Sequence, residues 1–194
     1  MDDGEGKIFK REAAAGGERA REAFAELWKA YYRRLICFAA SYRGLSRSDY
    51  DDLVSDVLIK AFTGLKSYDP ARPLSAWIYK IASNHFSDAR KRTGRVSHIS
   101  IGDQDDGTPF ITPVSPFSHT EEAENRDLTE RCRKIIKSLD EKERRIAYLR
   151  FFENMNATEI GTVLKLPAGT VRWKINGIRK NIAARLGGKN HEDR

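Results

Sequence analysis

Cysteine is almost absent from this chain of 194 residues: Cys37 and Cys132 are the only two. One pair so far apart builds no disulfide framework, and neither residue belongs to a CxxC or Cys/His cluster that would hold zinc. No apolar run approaches the length of a membrane span, so no membrane insertion is expected. The opening Met1-Asp2-Asp3-Gly4-Glu5 is acidic and has no apolar segment behind it, unlike a signal peptide. A reducing cytoplasm is the expected setting. Alternating β-branched runs bounded by turn residues are also missing, which argues against a sheet. The chain has no glycine-rich phosphate loop, no evident nucleophile–base pair and no metal-ligand spacing. An enzyme is not expected, nor a metal, nor a cofactor.

Positive charge is present, and its distribution is more telling than its sum. The formal net charge is +7, and a hydrophobic content of 40% suffices for one or two small cores. Between residues 99 and 130 eight carboxylates face only Arg126. From Arg131 to Lys189 fifteen cations outnumber five carboxylates, and from Arg72 to Arg95 six outnumber one. Two basic modules are thus separated by an acidic connector, a pattern that points to a polyanionic partner.

Helical periodicity organises both modules. Residues 1–19 lack a sustained period and are expected to form a flexible extension. From Ala20 a helix is predicted, with Phe24, Leu27, Trp28, Tyr31, Leu35 and Phe38 on one side, ending at Gly44. Ser48 and Asp51 are spaced to restart a helix whose stripe is Leu53, Val54, Val57, Leu58, Ala61, Phe62 and Leu65. Pro70 and Pro73 force a loop before a third helix carrying Trp77, Ile78, Ile81, Ala82 and Phe86. That helix ends in Arg90-Lys91-Arg92. Gly, Pro, Ser and Asp dominate residues 94–122, a linker composition. Helicity resumes with Leu128, Cys132, Ile135, Ile136 and Leu139, then with Ile146, Leu149 and Phe152. The predicted fold is all-α: two small helical domains (20–95 and 124–188), a flexible acidic linker (96–123) and a short tail (189–194). A linker of about 30 residues spans up to ~100 Å, so the domains are expected to work apart rather than packed together.

The most informative stretch is residues 156–186. Asn156 with Glu159 three positions later predicts a capping box and a helix from Ala157. Lys165-Leu166-Pro167 interrupts it, and a second helix carries Val171, Ile175, Ile178 and Ile182 on one stripe. Thr170, Arg172, Trp173, Lys174, Arg179 and Lys180 are then turned outward. A short helix followed by a longer cationic one is the helix-turn-helix arrangement, which lays its second helix in a DNA major groove.

These segments, taken in order, resemble bacterial sigma factors of the extracytoplasmic-function (ECF) group. The third helix, LSAWIYKIASNHFSDARKR, carries Trp77, Ile81, Ala82, Asn84, Asp88, Arg90 and Arg92 in the pattern of the family's −10-recognising region. DYDDLVSDVLIKAF resembles its core-polymerase docking segment, although Ser55-Asp56 stand where Gln-Glu is usual. The C-terminal helix-turn-helix matches its −35-reading region, with Trp173, Lys174 and Gly177 departing from the usual residues.

The resemblance implies that core RNA polymerase, promoter DNA and an anti-sigma factor are partners. It implies polymerase contacts by Asp49, Asp51, Asp52, Leu53 and Asp56. Contacts to the −10 DNA are implied for Tyr68, Arg72, Trp77, Tyr79, Lys80, Asn84, His85, Asp88, Lys91 and Arg92, the aromatics surrounding unpaired bases. Contacts to the −35 duplex are implied for Thr170, Arg172, Trp173, Lys174, Asn176, Arg179 and Lys180. Plainer readings stand beside these. Trp77 also fits a core aromatic, and the carboxylates at 49–56 fit a helix N-terminal charge bias. The alternative for the whole chain is a helix-turn-helix regulator that binds DNA without being a polymerase subunit.

Overall fold

Apolar residues spaced three and four apart need a neighbour to cover them, and the fold follows from how those stripes pair. The computed structural model describes residues 3–96 and 134–187, with no strand among them. The helices are α1 (Asp3–Ala14), α2 (Gly17–Ala39), α3 (Tyr50–Thr63), α4 (Leu74–Val96), α5 (Glu141–Phe151), α6 (Ala157–Leu164) and α7 (Ala168–Gly187). Residues 134–138 are also helical. In the first module α1 packs on α2, α2 on α3 and α3 on α4. In the second, α7 packs on both α5 and α6.

Helix α1 corrects the expectation of a loose extension. Phe9 is buried and meets Phe62 edge to face, with ring centroids 6.4 Å apart. Lys10 Nζ donates to the Tyr68 carbonyl at 2.6 Å. Gly6 lies against the Tyr68 hydroxyl, where a Cβ would collide. Gly16 and Gly17, both at positive φ, turn the chain, so α2 begins three residues before the expected start. The Ser48–Asp51 box does not form. Ser48 Oγ lies 2.7 Å from Ser46 Oγ, and α3 is entered through a 3-10 turn, Arg47–Asp49.

The helix-turn-helix forms as its sequence predicts. Asn156 Oδ1 accepts from the backbone of Thr158 and Glu159, and the Glu159 side chain accepts from the Asn156 N–H, completing the capping box. Lys165 turns the chain in the left-handed region, at φ 56°. Val171, Ile175 and Ile178 are buried, and Ile182 packs at the edge of the core.

The two modules, expected to be independent, are docked on each other. Helix α4 packs on α6, and one continuous core runs through both modules. Ile146, Ala147, Tyr148 and Leu149 of α5 are all buried. Four consecutive residues point all round a helix, so α5 must be covered on more than one side. Its second cover is the first module, where the Tyr148 ring lies 5.6 Å from Phe38 and 6.3 Å from Tyr79. Most of the expected linker, together with Leu128 and Cys132, lies outside the described residues.

Candidate nucleic-acid and polymerase interface

Helix α4 buries Ile78, Tyr79, Ala82, Phe86 and Ala89, which leaves Trp77, Lys80, Asn84, Asp88 and Lys91 on a second face at helical spacing. Lys80, Asp88, Lys91 and Arg92 are exposed, whereas Trp77 and Asn84 are half-buried. The loop before α4 is braced from within: the Tyr68 hydroxyl donates to the Arg72 carbonyl at 2.7 Å, and Asp69 accepts from the Ala71 N–H. Arg72 projects from this loop into solvent.

Two aromatic assignments need correction. Tyr68 is 2% exposed and Tyr79 0%, so neither presents a face on which a base could stack. Tyr68 closes the loop and supports Trp77, whose ring lies 5.3 Å away at 46°. Tyr79 stands in the core between Phe38 and Tyr148. Burial, with the Tyr148 and Glu153 oxygens nearby, holds its hydroxyl protonated far above the usual range. Trp77 is the one aromatic of that set to combine a supporting floor with partial exposure.

His85 joins α4 to α3. Its Nδ1 lies 2.7 Å from Lys60 Nζ and its Nε2 3.3 Å from an Asp56 carboxylate oxygen. With Asp88, Lys91 and Arg92 these residues line an open cleft of about 470 Å³. Burial, then Lys60 and Arg92, lower the His85 pKa below 6.5, with Asp56 opposing them. The cleft therefore puts one polymerase-docking candidate, Asp56, beside four −10 candidates.

The other docking candidates separate. Asp52 and Asp56 share a face of α3 with Ile59, an apolar residue 50% exposed. Asp51 instead accepts from the Tyr32 hydroxyl at 2.6 Å, bracing α3 on α2. Leu53 is half-buried against the core, and Asp49 is exposed in the 3-10 turn. Ile59 and Lys60 were not anticipated. The available signal was an isoleucine lying off the α3 core stripe.

In α7, Thr170, Arg172, Trp173, Asn176, Arg179 and Lys180 are exposed, and Trp173, at 73%, is the most open large apolar residue among the described residues. Lys174 is the correction here. Its ammonium lies 3.1 Å from Glu143 and 3.6 Å from Asp140, and its side chain is 17% exposed. Burial works against that charge, but Glu143 and Asp140 hold its pKa above the ordinary lysine value. Lys174 thus ties the recognition helix to the start of α5, and its charge is engaged within the protein.

Two families match the chain: Sigma-70 region 2 over residues 22–96 and Sigma-70, region 4 over residues 135–184. The chain belongs to the sigma-70 family, in its ECF group. As an ECF sigma factor it directs transcription initiation by RNA polymerase and is itself non-catalytic. It is 25% identical over 170 residues to the ECF RNA polymerase sigma factor SigW of Bacillus subtilis, spanning 86% of this chain and 90% of that one. It is 28% identical over 184 residues to the RNA polymerase sigma factor CnrH of Cupriavidus metallidurans, spanning 93% of each. A solved structure of CnrH in complex with the cytosolic domain of CnrY shares the fold, with a TM-score of 0.60 at 23% identity over 97% of this sigma factor and 100% of that chain. The sigma factor RpoE solved with the anti-sigma factor NepR from Bartonella quintana gives 0.58 at 22% identity, over 86% and 98%. Among the described residues no helix is long and apolar enough to cross a membrane.

Proposed function

We propose that this sigma factor divides its work by helix face. The Asp52–Asp56–Ile59 face of α3 docks on a basic, partly apolar surface of core polymerase. Trp77 stacks on an unpaired base of the −10 element while Arg72, Lys80, Asn84, His85, Asp88, Lys91 and Arg92 flank the strand. Stacking of one base offsets about 1–3 kcal/mol of its cost of leaving the duplex. The exposed face of α7 enters the −35 major groove, with Thr170, Arg172, Trp173 and Asn176 toward base edges and Arg179 and Lys180 on phosphates. The observation that carries this reading is the exposure of that α7 face beside a buried Val171–Ile175–Ile178 stripe. The protein acts in the cytoplasm, where its polymerase is, and an anti-sigma protein is its regulator, by analogy with RpoE and NepR.

In vitro transcription with purified core polymerase on a promoter library tests the division. Arg172→Ala is expected to change which −35 sequences are selected, losing about 1–3 kcal/mol of discrimination if it forks onto a guanine. Lys180→Ala is expected to weaken all −35 sequences alike and to flatten the salt dependence. Identical sequence profiles for the two variants would overturn the division. DNA-directed activity without core polymerase would favour the stand-alone regulator.

A further inference from the structure

Helix α1 ends before the segment matched to Sigma-70 region 2 begins at residue 22, yet it packs on the loop that leads into α4. Its inward stripe is Gly6, Phe9, Lys10 and Ala13, at i, i+3, i+4 and i+7. Phe9 anchors the stripe on Phe62 of α3. Gly6 and Lys10 instead close on one residue, Tyr68. The Lys10 ammonium donates to the Tyr68 carbonyl at 2.6 Å and lies 3.4 Å from the Lys66 carbonyl. Both carbonyls stand at the end of the 3-10 turn Gly64–Ser67. The last carbonyls of a helical turn lack partners within it, and a cation there suits the turn dipole. One helical turn before Lys10, Gly6 lies against the Tyr68 hydroxyl and leaves no room for a side chain. Helix α1 thus holds Tyr68 at both ends, backbone and ring tip.

Tyr68 in turn supports the aromatic that faces solvent. Its hydroxyl donates to the Arg72 carbonyl at 2.7 Å, and its ring lies 5.3 Å from that of Trp77. Gly64, at the start of the same 3-10 turn, borders the far edge of the indole, where a Cβ would stand 3.7 Å away. The floor beneath Trp77 is therefore one short stretch, residues 64–68, whose last carbonyls Lys10 engages. Stacking on a base depends on the tilt of the indole. A loop left unbraced would have to be ordered at the moment of binding, at the expense of affinity and discrimination.

We propose that Lys10 is a positioning residue for −10 recognition. Without touching DNA it fixes the Tyr68–Pro73 loop, and through Tyr68 it sets the tilt of Trp77 and the direction of Arg72. Helix α1 is a brace on the strand-capturing site, folded back onto it by the turn at Gly16 and Gly17. This inference rests on the proposed stacking of Trp77 on a −10 base.

The test compares Lys10→Met, which removes the ammonium and keeps most of the stem, with Lys10→Arg, which returns donors to the same carbonyls. In the free chain labelled with fluorotryptophan, fluorine NMR reads Trp28, Trp77 and Trp173 separately. Lys10→Met is expected to shift or broaden the Trp77 signal and to leave that of Trp173, in α7, in place. In holoenzyme on a −10 library with a constant −35 element, the same variant is expected to lose about tenfold in −10 discrimination, the scale of one charge-assisted hydrogen bond. Its −35 profile and its association with core polymerase stay at wild type, and Lys10→Arg recovers the −10 profile. A merely stabilising lysine would instead lower output on all promoters alike, in step with folded protein seen by circular dichroism. Should Lys10→Met lose helix, Gly6→Ala carries the test, because it displaces the Tyr68 hydroxyl while leaving the Lys10 charge in place. Trp77→Ala keeps the two ideas apart: a wild-type −10 profile for that variant overturns the stacking reading. A wild-type −10 profile for the folded brace variant, an unmoved Trp77 signal or a uniform loss on all promoters overturns the role of Lys10.

Discussion

His85 is the residue whose behaviour in solution reports the α3–α4 cleft directly. It has three charged neighbours on two helices, Lys60 and Asp56 on α3 and Arg92 on α4. Burial and the two cations depress its folded pKa below 6.5, so the neutral ring is favoured in the fold. Its contribution to stability is therefore present above the unfolded value near 6.5 and is lost as pH falls through the lower folded pKa. Proton NMR is expected to show His85 titrating below the range of exposed histidines. Asp56→Asn should lower the midpoint further and Lys60→Met should raise it. A midpoint at or above 6.5 in the wild type would show that the cleft does not close as described. Cys37, by contrast, is inert: burial pushes its thiol up to about 11, so it offers no thiolate to alkylating probes near neutral pH.

At the scale of elements, the helix-turn-helix depends on two local devices of different kinds. The Asn156–Glu159 capping box satisfies backbone donors at the start of α6, and Asn156→Ala is expected to cost about 0.5–2 kcal/mol. Gly161 is needed for a different reason. A Cβ there would stand 2.6 Å from the Leu166 carbonyl oxygen, a backbone atom with no side-chain freedom to retreat. Gly161→Ala should therefore cost about 1–3 kcal/mol, even though alanine is the better helix former in isolation. Thermal melts of the two variants check this, and a Gly161→Ala protein more stable than wild type would refute the close approach. Lys174 works at the same scale. Its ion pairs with Glu143 and Asp140 tie α7 to the start of α5 and so help set the direction in which the exposed Arg172 and Trp173 face.

For the whole molecule, the shared core makes stability a joint property. Phe38, Tyr79 and Tyr148 pack across the module boundary, so unfolding either module exposes the other. Calorimetry of the free wild-type chain is expected to show one transition, with calorimetric and van't Hoff enthalpies in agreement. Glu153→Ala should divide it into two, each belonging to one module. Two resolved transitions in the wild type would mean that the modules do not share a core in solution.

Much of this was already present in the order of residues. The apolar stripes of α2, α3, α4 and α7, the Asn156 cap and the loop at Pro70 and Pro73 depend on contacts within a few residues. Burial of Tyr68 and Tyr79 was not readable locally. A tyrosine on a helix near cations looks the same whether its ring faces a base or another helix, and only the partners Phe38, Arg72 and Tyr148 decide. Lys174 likewise reads as one more outward cation until Asp140 and Glu143, over thirty positions away, fold beside it. Docking of the two modules was the least legible, because it rests on pairs such as Arg34–Glu153, separated by 119 positions with no periodicity to link them. The sequence by itself determined which segments are helical and which faces need cover. Which surface covers each face was left to the tertiary structure, because apolar and charged faces specify the kind of neighbour but not its identity.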